Sequence, residues 1–485
     1  MVTLTILAQF AILYCLIVFV WQLPMLYRLL LGLIITWPTL GLYGELQLPA
    51  GIPDINFQRG YVAVLMLGLF MSLVLAKRHA AAAPKQSVQD PSSEHGTLSH
   101  PYKGLLTTFP FWVFAFVALK AVSVVNGLVF GTGGSTSVTG YLETTLIPVA
   151  IYVLVKRLVD SRQRLLWLLG AVILSALIVL STGIYERVLN MEASAFPVDA
   201  HNETGDTRTM DVPGGRAAGV IGNSAVFGGM MGMALLLTLC IAVNTNRTWL
   251  RALLGCIALL LAYGVFACFT RSAWLSVAIA LGFTQFYLNG LWKVTIPLGF
   301  CAAFALLVIW GSLQESDVVQ GRLLNKDTVT GRVERFVWSG ERFIERPFIG
   351  RGPGSLNELM REEFAEDGFD TSHNTYMTML VDDGGASFLC FWGIVFGWLM
   401  KAKSVLIRKG RYHLHGDKTA FERSVVAAMV GFMIIYLLAG MSLELRYFSY
   451  FTTLFWIAGA VIERLARTYC EVQDELGLEG AASES

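Results

Sequence analysis

The sequence predicts an all-α protein whose helices cross a membrane many times, and three observations support this fold class. Of the 485 residues, 55% are hydrophobic and only 15% are charged. The apolar residues occur in blocks of about 20, the length of α-helix that crosses the hydrocarbon core of a bilayer. A soluble chain of this length would carry a larger charged fraction and divide into several domains.

Hydropathy places about 12–13 candidate transmembrane helices along the chain. The lower count results if one weak span is re-entrant, and the first, second and fifth spans are the weakest. The candidates cover approximately residues 4–21, 27–43, 60–76, 105–125, 140–156, 165–185, 219–243, 249–270, 272–289, 293–312, 374–400, 424–442 and 447–463.

The distribution of basic residues predicts the orientation of these spans. Lys and Arg are concentrated in one set of loops, which includes the linker 77–104 and the loop 401–423, and basic loops stay on the cytoplasmic side. The longest polar loop, 313–373, belongs to the opposite set and is predicted to face outward. We expect three regions, with N-terminal spans at 1–200, a central region at 201–400 and a C-terminal part at 401–485.

Charge and cysteine content argue against two other kinds of protein. The formal net charge is +1 at pH 7, which argues against a nucleic-acid partner. The seven cysteines lie in apolar runs or in the C-terminal tail, so neither a disulfide framework nor a metal-binding spacing is visible. The N-terminal segment lacks the basic start and cleavage site of a secretory signal, so its first apolar run is expected to remain as a span.

The long polar loop contains two predicted helices separated by a turn. In the run 331–346, apolar residues recur at helical spacing, which predicts an amphipathic helix at the membrane interface or over the mouth of a cavity. A proline ends this run. The glycine-rich run 350–354 then indicates a turn, with Arg351 at its centre. Ser355 and Glu358 have the spacing of a capping box, which predicts the start of a second helix.

Two arginines stand in outward-facing loops directly beside predicted spans. Arg216 follows two glycines before one span, and Arg271 lies between Thr270 and Ser272 at the tip of two nearly continuous apolar runs. The positive-inside trend disfavours arginine on this side, so Arg271 in particular is expected to have an anionic partner. A side chain that snorkels to the lipid headgroups is the alternative explanation for both arginines.

Histidine is the side chain best suited to proton transfer near neutral pH, and two of the seven histidines lie in outward-facing loops. His201 lies in a run of polar residues, which is typical of a solvated loop. His373 is placed directly against a span, beside Asn374 and Tyr376. His373 is therefore the candidate general base, and the alternative is an interfacial histidine that caps the next helix.

In combination, these motifs resemble those of the O-antigen ligase and polymerase superfamily, bacterial membrane enzymes that transfer glycans from a lipid pyrophosphate carrier. The resemblance covers residues 216–385, and the chain has the family's acidic position as Asp382-Asp383 where relatives more often show Glu-x-Gly. No catalytic role is assigned to that pair. The matching elements are Arg-x-x-Gly at 216–219, Thr-Arg-Ser at 270–272, an amphipathic helix with an Arg-x-x-x-Trp-type pattern, Pro-Phe-x-Gly-x-Gly-Pro-Gly at 347–354 and His-Asn at 373–374.

The resemblance implies a metal-independent, inverting glycosyltransferase without a cofactor, active on the periplasmic face of the bacterial inner membrane. The donor would be a glycan linked to undecaprenyl pyrophosphate. The acceptor would be lipid A-core, another glycan or a protein hydroxyl. The products would belong to lipopolysaccharide or exopolysaccharide biosynthesis, and membrane lipids would surround the enzyme.

The candidate site residues fit that chemistry. Guanidinium groups pair with phosphate oxygens in two-point contacts, so Arg216 and Arg271 are expected to hold the pyrophosphate, with Arg351 as a weaker third candidate. His373 would act as the general base on the acceptor hydroxyl. Three further candidates for substrate binding lie nearby in the sequence, namely Arg332, Asn374 and Tyr376.

Three functional classes remain open from the sequence. A ligase joins a finished glycan to an acceptor, and a polymerase joins lipid-linked repeat units to one another with the same two sites. A transporter or flippase predicts ionisable residues deep in several spans. Such residues are scarce, because Lys120 and Glu143 lie close enough to predicted span ends to snorkel. No internal repeat is visible, so the enzyme class is favoured, and the choice between ligase and polymerase stays open.

Overall fold

A computed structural model describes residues 23–40, 45–46, 55–82, 110–129, 134–189, 217–288, 327–364, 372–407 and 418–483. The candidate spans at 4–21 and 293–312 lie outside these ranges. Arg216 and His201 also lie outside them, and the side chain of Arg332 is not described.

The described ranges are almost entirely helical, as the apolar blocks predict. Their fifteen α-helices are α1 Met25–Leu40, α2 Phe57–Ala82, α3 Phe111–Val129, α4 Gly134–Tyr141, α5 Ile147–Leu158, α6 Arg162–Leu189, α7 Ser224–Asn244, α8 Thr248–Ala267, α9 Arg271–Thr284, α10 Asp327–Glu345, α11 Ser355–Glu363, α12 Thr375–Thr378, α13 Gly384–Ile407, α14 Lys418–Gly440 and α15 Ser449–Ser483. Shorter elements are π-helical turns at Leu142–Leu146 and Met379–Asp383, 3-10 turns at Gly219–Ile221 and Leu445–Tyr447, and a two-residue antiparallel pairing of Glu45–Leu46 with Ile55–Asn56.

Seven helical segments within the described ranges are long and apolar enough to cross a membrane, so the all-α, multi-pass fold is confirmed. Shorter apolar helices occupy Met25–Thr39 and Arg59–Ser72. The candidate spans at 272–289 and 447–463 correspond to α9 and the start of α15, which are outside the set of seven. That set is Phe111–Val129, Ser137–Leu158, Arg162–Tyr185, Ser224–Asn244, Thr248–Ala267, Thr375–Ile407 and Ala420–Gly440.

Helices α7 and α14 form the centre of the bundle, with 83% and 78% of their spans buried inside the protein. Glycines in α7 allow its neighbours to approach closely. Gly228 and Gly232 lie against Ala273 and Val277 of α9, so α7 and α9 run in the same direction. Small residues at helix contacts are the usual means by which membrane helices pack without a hydrophobic driving force.

Helix α14 runs in the opposite direction to α7 and α9. Gly229 of α7 lies near Ile435 of α14, whereas Leu236, further along α7, lies near Gly431. The first turns of α7 and α9 therefore share one end of the bundle with the last turn of α14. The hydroxyl of Tyr376 donates a hydrogen bond to the carbonyl of Leu437 (2.6 Å), so the motif 373–376 lies at this end too. We call it the His373 end.

Ionised side chains lie inside the bundle as pairs. The Lys120 ammonium in α3 is 3.0 Å from a carboxylate oxygen of Asp383, and both side chains are buried. The expectation that Lys120 snorkels from a span end is therefore wrong. Its partner comes from a distant part of the chain and removes the need to reach water. Glu143 is likewise paired, at 2.6 Å from the Arg59 guanidinium.

A second charged group joins three other helices. Glu463 of α15 accepts contacts from Lys156 of α5 (2.5 Å) and from Lys401 of α13, and the hydroxyl of Tyr152 donates a hydrogen bond to it (2.5 Å). Glu463, Lys156 and Lys401 lie at the ends of predicted spans. Lys120, in contrast, is buried in the middle of α3. The buried pair of Lys120 and Asp383 is therefore the feature that a transporter would also predict.

Replacing Lys120 with methionine should destabilise the fold, because Asp383 would keep its burial and lose its cation. Breaking a buried pair from one side costs about 3–5 kcal/mol. The thermal unfolding midpoint in detergent is measured by size-exclusion chromatography of heated samples. The midpoint of Lys120→Met should fall well below that of Lys403→Met, which removes an exposed lysine. Combining Lys120→Met with Asp383→Leu should recover most of the loss. Equal midpoints for Lys120→Met and Lys403→Met would refute the structural role of the pair of Lys120 and Asp383.

Candidate active site

The glycine-rich run after α10 forms backbone hydrogen bonds with the residues at and just before the start of α13. The amide of Arg351 donates to the carbonyl of Val381 (3.0 Å), that of Gly352 to Asp382 (2.9 Å) and that of Gly385 to Pro347 (2.7 Å). Gly350 has a φ of +76°, and a Cβ placed there would lie 2.3 Å from the carbonyl oxygen of Asp382. The glycine is needed for this close approach of two backbones.

The same run is also fastened to the helices on its other side. The side-chain amide of Asn126 in α3 donates a hydrogen bond to the carbonyl of Gly350 (2.7 Å), and the hydroxyl of Ser137 in α4 donates one to the carbonyl of Pro353 (2.6 Å). The backbones of Gly127 and Gly352 are in direct contact. The turn predicted at 350–354 is therefore a fixed part of the bundle.

Asp382 caps the second helix of the loop from a distant position. Its buried carboxylate accepts hydrogen bonds from the amides of Gly354 (2.7 Å) and Leu356 (2.8 Å) and from the hydroxyl of Ser355 (3.0 Å). The predicted capping box of Ser355 and Glu358 is therefore wrong. Gly354 is the N-cap and Ser355 already lies inside the helix, so the Ser355 hydroxyl serves Asp382.

The turn between α14 and α15 supplies the charge that balances Asp382. The guanidinium of Arg446 lies 2.6 Å from the second carboxylate oxygen of Asp382 and also pairs with Glu444. Burial by itself would lower the pKa of Arg446, but Glu444 and Asp382 raise it above its usual value, so the guanidinium stays charged. The hydroxyl of Tyr447 adds a hydrogen bond with Asn357 of α11 (2.5 Å).

The same turn holds the segment that carries His373. Thr375 donates hydrogen bonds from its amide (3.0 Å) and its hydroxyl (2.7 Å) to the carbonyl of Leu443, and its hydroxyl accepts one from the amide of Leu445 (2.8 Å). Residues 443–447 thus connect the His373 segment to α11. The His373 segment is thereby linked to the glycine-rich run by contacts between residues that are far apart in sequence.

His373 has a left-handed backbone conformation, with a φ of +48° and a half-buried side chain. Asn374 caps the following helix, because its side-chain oxygen accepts from the amides of Tyr376 (2.9 Å) and Met377 (3.2 Å). The alternative in which His373 itself caps the helix is therefore wrong. Asn374 and Tyr376, both candidates for substrate binding, have structural contacts that position the histidine.

Arg271 is exposed at the first position of α9. The hydroxyl of Thr270, the residue before it, lies 3.1 Å from that of Ser224 at the start of α7. The amide of Ala217 donates to the carbonyl of Ala267 (3.0 Å), just before this turn. The residue that follows Arg216 is therefore bonded to the end of α8, beside the turn that carries Arg271.

Three helices at the His373 end begin in the same way. In each, a residue with positive φ precedes an extended N-cap residue, and the helix follows immediately. A positive φ in phenylalanine or histidine costs of the order of 1 kcal/mol or more and persists only where the surrounding structure holds it. The three starts are Gly222-Asn223-Ser224, Phe269-Thr270-Arg271 and His373-Asn374-Thr375.

The structure therefore brings Arg271 and His373 to one end of the bundle. Arg351 is linked to that end through the segment 381–386, and its guanidinium pairs with Glu345 of α10. Within the described ranges, no three His, Cys, Asp or Glu side chains are grouped so that they could hold a metal ion. The arrangement combines an exposed guanidinium at a helix start with an imidazole fixed at a strained turn.

Residues 256–392 match the family model described as O-Antigen ligase. This part of the chain is similar to O-antigen ligases. The matched part begins within α8, ends within α13 and includes Arg271, Arg351 and His373. The resemblance to this superfamily is thereby confirmed for these residues, whereas Arg216 precedes the matched part. No curated protein matches the chain in sequence.

The part of the chain that matches O-antigen ligases is held by residues that the sequence analysis missed. Asp382 was set aside as a departure from the family pattern, and residues 443–447 lie beyond the matched part. The sequence feature that could have pointed to residues 443–447 is the occurrence of two charged residues, Glu444 and Arg446, between two apolar runs. Two charges at such a position usually indicate a solvated turn, and only their contacts with Asp382 show their role.

Replacing Asp382 with alanine should loosen α11 and the run before it. Loss of a helix cap costs about 0.5–2 kcal/mol, and here Arg446 would also lose one of its two carboxylates. Amide hydrogen exchange in peptides covering 350–364 should become faster, while exchange in α7 stays unchanged. Glu358→Gln, on the exposed side of α11, is the matched control. Unchanged exchange in the Asp382→Ala protein would contradict the capping role.

Proposed function

We propose that the protein transfers a glycan from undecaprenyl pyrophosphate to an acceptor hydroxyl on the periplasmic face of the bacterial inner membrane. The observation that carries this proposal is the O-antigen ligase match, which contains both Arg271 and His373. A multi-pass membrane fold suits a donor that is itself a membrane lipid. Residues 201–400 form the catalytic region, and residues 443–447 support it from the C-terminal part.

The donor pyrophosphate binds at the first turns of α7 and α9 in this proposal. Helix N-termini carry partial positive charge, and Arg271 adds a full charge that can contact two phosphate oxygens at once. Arg216 is a second ligand of the pyrophosphate in this proposal, and the residue that follows it, Ala217, is bonded to the end of α8. Arg351 and Arg332 contact the substrates further out, and Arg351 exchanges its contact with Glu345 for one with substrate.

The transfer is a single displacement without a metal ion or a cofactor. The imidazole of His373 removes the proton of the acceptor hydroxyl as that oxygen attacks the anomeric carbon. The new glycosidic bond forms while the bond from the anomeric carbon to the pyrophosphate oxygen breaks. Its electron pair leaves on undecaprenyl pyrophosphate, where the arginines stabilise the negative charge. Attack opposite the leaving group inverts the anomeric configuration.

A polysaccharide polymerase would use the same residues, with a second lipid-linked glycan as acceptor. The ligase is preferred because the family match carries that description. A transporter is the remoter alternative, and the ion pairs of Lys120 with Asp383 and of Arg59 with Glu143 are the feature that fits it. Each of those charges has a partner within the protein, which suits a structural role.

Deleting the gene should leave full-length glycan on its lipid carrier and a bare acceptor. A carbohydrate gel of the host envelope, with lipid-linked and acceptor-linked fractions separated, measures both. Single repeat units accumulating in place of long chains would show a polymerase. An unchanged pattern of glycans would refute both enzymes.

Replacing His373 with asparagine should reduce transfer by roughly 10²–10⁴-fold, the usual contribution of a general base. Asparagine tolerates a positive φ, so the turn keeps its shape while the base is lost. Transfer is measured with purified protein and a lipid-linked donor, and unfolding midpoints confirm that the variant is intact. The matched control is His201→Asn, in a run of polar residues that is typical of a solvated loop, and it should transfer at the wild-type rate. Near wild-type activity of His373→Asn would rule out the proposed mechanism.

A further inference from the structure

Helix α10 presents several large apolar side chains outward, while polar side chains lie among those that it buries against the protein. Val333, Val337 and Ile344 are exposed, the last at 74%, whereas Arg335 and Ser339 are buried. An amphipathic helix on a water-soluble surface has the opposite arrangement. An outward-facing row of large apolar side chains indicates contact with another apolar phase.

The apolar row continues beyond the end of the helix. Phe348 is 76% exposed and Ile349 is also exposed. The carbonyl of Phe348 accepts a hydrogen bond from the amide of Ala386 (3.3 Å), which attaches this part of the row to α13. Leu389, three residues further along the same side of α13, is 68% exposed. The row is therefore continuous with the outer surface of a membrane-spanning helix.

The length of that span locates the row relative to the bilayer. The segment Thr375–Ile407 has 33 residues, and about 20 are enough to cross the hydrocarbon core. Lys401 and Lys403, near the end of the span, mark one boundary of the core. Counting back about 20 residues from Lys401 puts the other boundary close to Val381. Ala386 lies on the hydrocarbon side of that boundary, so Phe348 and Ile349 meet lipid.

We propose that α10 lies on the membrane at the His373 end, with its apolar row embedded among the acyl chains of the adjacent leaflet. The row consists of Val333, Phe336, Val337, Ile344, Phe348 and Ile349. The exposed acidic residues Glu334 and Glu341 face the headgroups and water. Helices with one charged side and one apolar side bind membranes in this orientation. The proposal is independent of the reaction that the protein catalyses.

Single cysteine substitutions on two sides of α10 test this placement. Val337→Cys and Ile344→Cys lie in the row, and Glu334→Cys and Glu341→Cys are matched controls that are also exposed on the protein. The proteins are placed in lipid nanodiscs and treated with a charged maleimide that does not enter membranes. The unsubstituted chain gives the background from the native cysteines. All four positions are exposed on the protein itself, so burial within the chain does not separate their rates.

We expect the two cysteines of the row to react roughly tenfold more slowly than the controls, since a thiol in lipid forms less of the reactive thiolate. In denaturing detergent all four should react alike. A bimane attached at position 337 should be quenched by lipids with brominated acyl chains, and one at 341 should not. Equal labelling in nanodiscs would show that the row faces water and overturn the proposal. Slow labelling without quenching would show a protein covering, such as a second copy, and would overturn it too.

Discussion

A buried carboxylate must satisfy its acceptor positions within the protein, and the arrangement of the candidate site follows from how Asp382 does so. Its two oxygens accept from Gly354, Ser355 and Leu356 and pair with Arg446. One side chain therefore joins the start of α11, the π-helical turn before α13 and the turn between α14 and α15. Because an unpaired buried charge is costly, these three segments are held in one arrangement.

The residues proposed for chemistry lie on backbone that is held in the same way. His373 and Phe269 both have positive φ, and each precedes the N-cap of a helix. Such conformations are costly for residues with side chains and persist where neighbouring contacts determine them. Thr375 and Asn374 supply those contacts for His373. A base fixed in this way loses little freedom when a substrate binds, which is the condition for efficient proton transfer.

Burial of charge also explains how the rest of the bundle is joined. The pair of Lys120 and Asp383 connects α3 to the segment that contains Asp382, and Glu463 connects α15 to α5 and α13. Each pair forms between helices that are distant in sequence. In a medium of low dielectric such pairs favour one set of neighbours over others, because any mismatch leaves a charge without a partner.

The sequence by itself determined the features that depend on composition and short spacing. Apolar blocks of span length determined the all-α membrane fold, and the order of Arg271, the glycine-rich run and His373 determined the resemblance to O-antigen ligases. Only the tertiary structure decided which polar groups pair. It assigned the cap of α11 to Asp382 in place of Ser355 and gave Lys120 a buried partner. The sequence could not show these contacts, because electrostatic pairing and capping depend on distances across the fold that no local pattern encodes.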